Sequence, residues 1–178
     1  MRIIRGILKT KKITVPKSFP SRPTTDFAKE GLFNMLENRL DLVDLNILDL
    51  CAGTGNISFE LLSREAGSLT AVDSNYNCVR HIQKLAKEFE IEQWIDVIKS
   101  DAVKYLEKAE DTYDIIFTDP PYEASFYDKI VITTFERNLL NEDGFLIIEH
   151  GKRTKLEHLP YYQSSRSYGN VVFSFFNK

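Results

Sequence analysis

From residue 46 onward, short apolar runs alternate with segments of helical period. Residues 46–50, 68–72, 95–99, 114–118 and 144–149 are bounded apolar runs, and each predicts a buried strand. Between them lie a helix running from the glycines after residue 52 to about Arg64, a second over 76–90, a short third over 102–108 and a fourth over 126–138. In the second, Val79, Ile82, Ala86 and Phe89 fall on one face. Repeated strand-helix alternation predicts an α/β fold with a parallel sheet covered on both faces. The tail breaks the pattern: 161–164 and 170–177 read as strands with no long helix between them, so an antiparallel ending is expected.

Upstream, Pro23, Thr24, Thr25 and Asp26 supply helix-starting chemistry for a segment in which Phe27, Ala28, Leu32, Met35, Leu36 and Leu40 form a buried stripe. Gly31 weakens that helix without ending it. The first twenty residues read as two extended pieces, 2–8 and 12–15, broken near Pro16 and Pro20. A length of 178 residues favours one domain over 1–178, with 1–22 as a basic extension and 23–178 as the catalytic core.

Composition adds exclusions. At 43% hydrophobic and 28% charged, the chain is too apolar for general disorder, and no stretch approaches membrane-span length. Two cysteines, Cys51 and Cys78, without a CxxC pair, argue against a disulfide framework or a zinc site. The expected setting is a reducing cytoplasm, and Cys51 is expected to pack as a small apolar residue. The histidines His81, His150 and His158 show no partner pattern and are expected to be structural or solvent-facing.

The net charge of −3 hides an asymmetry. Residues 1–22 carry Arg2, Arg5, Lys9, Lys11, Lys12, Lys17 and Arg22 with no acidic residue, which is +7 and leaves −10 (−3 less +7) for the rest. Such an arm suits contact with phosphates, though a solvated lysine-rich surface gives the same pattern. Arg166, just before the last strand, is a further candidate for phosphate, or else part of a surface turn.

Candidate chemistry clusters at strand ends. Asp49 through Gly55 spans a strand-to-helix junction, with Ala52, Gly53 and Gly55 permitting a tight turn and close ligand approach. A dinucleotide fingerprint would need a third glycine, and Ser58 stands there. Asp49 would repel a pyrophosphate but suits a ligand bearing an ammonium and a sulfonium. Asp73 follows the second strand, 18 residues after Gly55, where a carboxylate accepts from ribose hydroxyls or caps a helix. Asp101 and Ala102 follow the third strand, where Asp101 serves an adenine amino group or again a cap.

The sharpest motif is Asp119, Pro120, Pro121 and Tyr122 at the end of the fourth strand. The prolines fix the backbone, so the Asp119 carboxylate and the Pro120 carbonyl converge on one spot. A base amine is a poor nucleophile because its lone pair is delocalised. Two acceptors on its N–H groups orient it for attack on a methyl carbon, and Tyr122 offers a face for an unstacked base. Direct methyl transfer to nitrogen follows as the expected reaction, with no metal and no covalent enzyme intermediate.

These segments resemble the RsmD family of bacterial 16S rRNA methyltransferases, which modify the N2 amine of guanine 966. The resemblance rests on Met1 to Gly6, Arg22 to Asp26, Leu32-Phe33, Asp49 to Gly55 and Asp119 to Tyr122, and spans nearly the whole chain. It implies a Rossmann-like S-adenosylmethionine-dependent methyltransferase fold, with a mostly parallel seven-stranded sheet, an antiparallel C-terminal hairpin and helices on both faces. Asp49, Gly53 and Gly55 would lie along the methionine of S-adenosylmethionine, Asp73 at its ribose, and Asp101 with Ala102 at its adenine. Asp119 to Tyr122 would receive the guanine. Arg2, Arg5, Lys9, Lys11, Arg22, Thr24 and Arg166 would meet RNA, with 16S rRNA in a small-subunit particle as partner and the enzyme a monomer. Cys51 stands where an aromatic residue is frequent in the family.

Two other enzyme readings and one binding reading compete. Asp-Pro-Pro-Tyr serves adenine N6 or another base amine in RNA or DNA nearly as well, although 178 residues leave little room for a DNA target-recognition domain. A nicotinamide oxidoreductase lacks its third glycine here. A non-catalytic RNA-binding shell would not need to keep both motifs.

Overall fold

The computed structural model describes residues 1–15, 19, 24–121 and 126–178. Helix α1 spans Asp26–Glu37, and Thr25 caps it by accepting from the Ala28 N–H at 3.2 Å. There follow β1 (Asn46–Leu50), α2 (Asn56–Ser63), β2 (Ser68–Asp73), α3 (Tyr76–Glu88), β3 (Ile95–Lys99), α4 (Ala102–Leu106), β4 (Tyr113–Thr118), α5 (Tyr127–Glu136), β5 (Leu140–Gly151), β6 (Tyr162–Tyr168) and β7 (Val171–Phe176). One seven-stranded sheet runs β3-β2-β1-β4-β5-β7-β6. The first five strands are mutually parallel, and β7 lies antiparallel between β5 and β6.

The strands are apolar on both sides because both sides are covered. Ile47, Ala71, Ile115 and Ile147 join the core under α1, α2 and α3. Leu48, Val72, Ile116 and Ile148 join the core under α4 and α5. Chain order places β1 at the centre of the parallel part, and connections leave it and β4 on opposite sides. The carboxyl ends of β1 and β4 therefore open onto a crevice, which is where ligands bind in sheets of this kind.

The start of the chain departs from two extended pieces. Only Arg2 and Lys12 form a bridge, and the residues between them turn. Met1 and Ile13 exchange backbone hydrogen bonds at 3.2 Å, closing a loop that buries Ile3, Leu8 and Ile13. This loop belongs to the core packing, and its fastening is polar. Glu60 of α2 accepts from the N–H groups of Ile4 (2.8 Å) and Arg5 (3.1 Å), pairs with Lys29 Nζ (3.1 Å) and receives the Arg64 guanidinium (2.9 Å). Lys29 also donates to the Arg2 carbonyl (2.7 Å) and to Asn56 Oδ1 (2.9 Å). Both Lys29 and Glu60 are fully buried, and burial, partly offset by Glu60, holds the Lys29 ammonium below its ordinary pKa. At the far end of α2, Gly6 (φ 89°) lies so close that a Cβ would sit 1.7 Å from the Ser63 carbonyl oxygen.

Helix α1 differs from its expected stripe at one place. Ala28, Leu32, Phe33 and Leu36 are buried, but Phe27 is 66% exposed. Phe27 and Gly31 lie one turn apart at the edge of the stripe, and both meet Tyr168 of the β6–β7 hairpin. There the Tyr168 ring fills the notch over Gly31, where a Cβ would lie 2.2 Å from it, and the Tyr168 hydroxyl donates to the Gly31 carbonyl at 3.2 Å. The glycine that weakens the helix is what admits the hairpin.

Candidate active site

The carboxyl ends of β1, β2, β3, β4 and β5 enclose a cavity of about 820 Å³, a size that suits a nucleoside-bearing ligand with room beside it. Its floor begins where β1 ends. Cys51, Gly53 and Gly55 all take positive φ (60°, 56° and 73°), so the chain reverses and delivers the N-terminus of α2 to the cavity. Gly53 and Ala52 line the cavity, whereas Gly55 does not. A Cβ on Gly55 would meet Phe59 at 2.7 Å, so this glycine serves the close fit of the turn against the core.

Asp73 accepts from the Gly53 N–H (2.8 Å) through one oxygen and from the Asn75 N–H (2.8 Å) through the other. It thus ties the turn after β1 to the turn after β2. Capping of α3 falls to Asn75, which accepts from Asn77 N–H at 2.9 Å. Asp101 does cap α4, accepting from Lys104 N–H at 3.0 Å, and it also lines the cavity with Ala102. Asp49, Ala52, Gly53, Asp73, Asp101 and Ala102 therefore surround one space, as their strand-end positions require.

Asp119, Pro120 and Pro121 line the same cavity, and among the described residues nothing donates a hydrogen bond to the Asp119 carboxylate. Tyr122, Arg22 and the early prolines Pro16, Pro20 and Pro23 lie outside the described residues. Glu149, which sequence reasoning missed as a site residue, stands beside Asp119. Thr118 pairs with Ile148, so the next residues on β4 and β5 are neighbours across the strand ends. Glu149 is 1% exposed and accepts from the Thr24 hydroxyl at 2.7 Å. Its signal in the sequence was the same as that of Asp49 and Asp119, an acidic residue closing an apolar run.

Three carboxylates thus share one cavity wall, and all are pushed toward the protonated form. Asp49 is raised to about 7 by burial, against a hydrogen bond from Ser58 and with the help of Asp73. Glu149 is raised to about 7 by burial, against the Thr24 bond. Asp119 is raised well above the usual carboxylate range by burial and then by Glu149 and Asp49. The Cys51 thiol is driven up to about 12 by burial, which removes it as a nucleophile. A cation entering the cavity would relieve this repulsion.

The residues grouped as RNA-facing scatter more widely. Arg2 pairs with Asp26 (3.2 Å) and Glu30 (3.6 Å), and Arg5 with Glu37 (3.0 Å). Lys9 is exposed, and Lys11 lies over the Phe89 ring at 5.7 Å to its centroid. Arg5 to Leu8 meet Ser63 at the C-terminal end of α2, opposite the glycine turn. Thr24 is buried and its hydroxyl is committed to Glu149, so it faces the cavity interior. Arg166 is exposed on β6. Phe27 and Tyr168, which pack edge to face at 5.7 Å, form a rim that sequence reasoning had placed in the core or left unassigned.

Comparison with known proteins agrees with this arrangement. A family model described as conserved hypothetical protein 95 matches residues 1–177. The ribosomal RNA small subunit methyltransferase D of Escherichia coli K12 is 32% identical over 149 residues, covering 84% of this chain and 71% of that protein. Among solved structures, a hypothetical protein of Thermus thermophilus superposes with a TM-score of 0.86 at 22% identity, covering 100% of this chain and 99% of the other. The T. thermophilus 16S rRNA N2 G1207 methyltransferase RsmC, in complex with AdoMet and guanosine, superposes with a TM-score of 0.68 at 18% identity over 90% of this chain and 45% of that one. These structural likenesses establish the Rossmann-like methyltransferase fold. Sequence and family model together establish that the chain belongs to the RsmD family.

Proposed function

We propose that residues 1–178 act as one methyltransferase domain that transfers the methyl group of S-adenosylmethionine to the exocyclic N2 amine of a guanine in 16S rRNA. Membership of a family whose members are named rRNA methyltransferases supports the S-adenosylmethionine-dependent methylation of rRNA. The observation that carries the reading to an amine is Asp119, an acceptor without a described donor, at the end of β4 in the cavity formed by the glycine turn. The residues present fit S-adenosylmethionine: a positive-φ turn at a helix N-terminus, carboxylates at successive strand ends, and an acidic wall facing a cationic ligand. When bound, it supplies an electrophilic methyl carbon on a sulfonium.

Asp119 holds an N–H of the amine and turns the nitrogen lone pair toward the methyl carbon, and the proton displaced by the new N–C bond leaves to the Asp119 carboxylate or to water. Asp73 keeps Gly53 in place and, with Asp101, borders the part of the cavity that would take the nucleoside. Asp49 supplies negative charge behind the turn. Methyl transfer from labelled S-adenosylmethionine to small-subunit RNA and particles, followed by identification of the labelled nucleoside, tests the reading. Label in N2-methylguanosine is expected, and label in N6-methyladenosine would overturn the guanine assignment.

Affinity for S-adenosylmethionine should depend on pH through Asp49. Burial pushes its carboxyl up to about 7, and a bound cation favours the ionised form. Below about pH 7 a proton must leave before binding, so affinity falls by up to roughly tenfold per unit, while above pH 7 it levels off. Calorimetric titration between pH 5.5 and 8.5 checks this, and an affinity constant across the range would show that no carboxylate of this wall ionises on binding.

RNA contact is assigned to the exposed cations. Arg2 and Arg5 already hold carboxylates, so Lys9, Lys11 and Lys12 are the freer charges, with Arg166 across the hairpin. RNA reaching them from the cavity must cross the length of α2, eight residues or about 12 Å. Replacing Lys9 and Lys11 by Gln should reduce the slope of log affinity against log salt by about 1.5. Equal slopes for variant and parent would remove these lysines from the interface.

A further inference from the structure

We propose that Glu149 reads the target base as guanine, its carboxylate accepting the N1–H, and one N2–H, of the base whose amine Asp119 holds. The proposal rests on the guanine reading above. It begins from an anomaly of packing: Glu149 is 1% exposed, yet the Thr24 hydroxyl is its one donor among the described residues, and Oε1 receives none. Burying a carboxylate with one hydrogen bond is expensive and does nothing for the core around it. Asp49, equally buried, has Ser58 as its donor and lies behind the glycine turn. Both line the cavity, but Glu149 stands beside Asp119, one strand over, as the register of β4 and β5 requires. Adjacent parallel strands lie about 4.8 Å apart, so acceptors at these two positions suit neighbouring donors on one ring edge.

The chemistry of the base edge then selects. Guanine presents N1–H and the C2 amine side by side, all donors, and a carboxylate accepts from both. Adenine presents an unprotonated N1 beside its amine, and above about pH 7, where Glu149 is ionised, the carboxylate would set lone pair against lone pair. Thr24 fixes the carboxylate from the other side, which makes it a positioning residue. A buried acceptor left facing another acceptor discriminates strongly, as sites built to hydrogen-bond one partner do.

The test uses 2-aminopurine, which keeps the C2 amine and lacks N1–H. RNA carrying guanine or 2-aminopurine at the mapped target nucleotide is offered to the full chain at about pH 8.5, where Glu149 is ionised, in whichever form, free strand or reconstituted particle, the wild type methylates. The wild type is expected to favour guanine by at least about 100-fold in kcat/KM. Glu149→Gln, whose amide can donate to an unprotonated N1, should lower guanine turnover and shrink that ratio by at least about tenfold, with S-adenosylmethionine affinity within a few-fold. Thr24→Val should shift the ratio in the same direction by less. Wild type that methylates both bases equally overturns the proposal even if no variant folds. So does a Glu149→Gln enzyme with the parental ratio. Label in N6-methyladenosine from the wild type would remove the guanine reading itself, and this proposal with it, whereas N2-methylguanosine with an unchanged ratio removes this proposal alone.

Discussion

Asp119→Ala is expected to slow methyl transfer by about 10³-fold while changing S-adenosylmethionine affinity by no more than a few-fold. The asymmetry follows from position. Asp119 closes β4, whereas the turn tied by Asp73 and the α4 cap at Asp101 belong to β1, β2 and β3. Removing the carboxylate deletes the acceptor proposed to orient the amine but leaves standing the part of the cavity proposed to hold the cofactor. Asp119 is itself held toward the protonated form by burial and by Glu149 and Asp49, so its removal takes no charge from the wall that faces the cofactor, and cofactor binding should not weaken. Single-turnover kinetics with a separate binding titration separates the two effects. A variant within tenfold of the parent would mean that the amine is oriented by something other than this side chain.

The second large effect concerns stability. Glu60→Ala should destabilise the fold by about 3–5 kcal/mol, because it strands the Lys29 ammonium in the core and orphans the N–H groups of Ile4 and Arg5. For a chain of this size that corresponds to a fall in Tm of roughly 6–20 °C. Arg64 would lose its partner at the same time, though it retains Glu37. Glu60→Gln should fall between, since its one amide oxygen still accepts from one of the two backbone N–H groups, while the charge for Lys29 is lost. Thermal unfolding followed by circular dichroism measures both. A shift below about 2 °C for the alanine variant would mean that the N-terminal loop is held by Ile3, Leu8 and Ile13 alone.

The same network explains why the N-terminal segment misleads when read alone. Its lysines and arginines, and the absence of acid within it, describe an arm free to meet phosphate. Nothing in the local sequence shows that Glu60, more than fifty residues away, accepts two of its backbone N–H groups, or that Glu37 and Asp26 await its arginines. Gly6 is a similar case. As a residue it is a turn former, but its necessity comes from the Ser63 backbone pressed against it. Truncating residues 2–12 would therefore test folding before it tested RNA binding, and charge neutralisation at Lys9 and Lys11 is the cleaner probe.

Local sequence determined the sheet and most of the site. Each apolar run of about five residues can satisfy its hydrophobic surface only between two helix layers, and a parallel sheet puts every strand's carboxyl end on the same edge. Asp49, Asp73, Asp101 and Asp119 close such runs, so their convergence was legible without coordinates, as were the glycine turn and the Pro-Pro stop. Tertiary structure decided what depends on partners distant in the chain. It assigned the cap of α3 to Asn75 and freed Asp73 to hold Gly53, since both oxygens of Asp73 found backbone donors. It turned Phe27 outward, because the row it shares with Gly31 faces the Tyr168 ring. It buried Thr24 against Glu149 across 125 residues, making a cavity residue of one that local sequence marked as a helix start and the family resemblance set against RNA. Periodicity and strand ends are written in neighbouring residues, whereas the pairing of buried polar groups is set by whichever element the topology brings alongside.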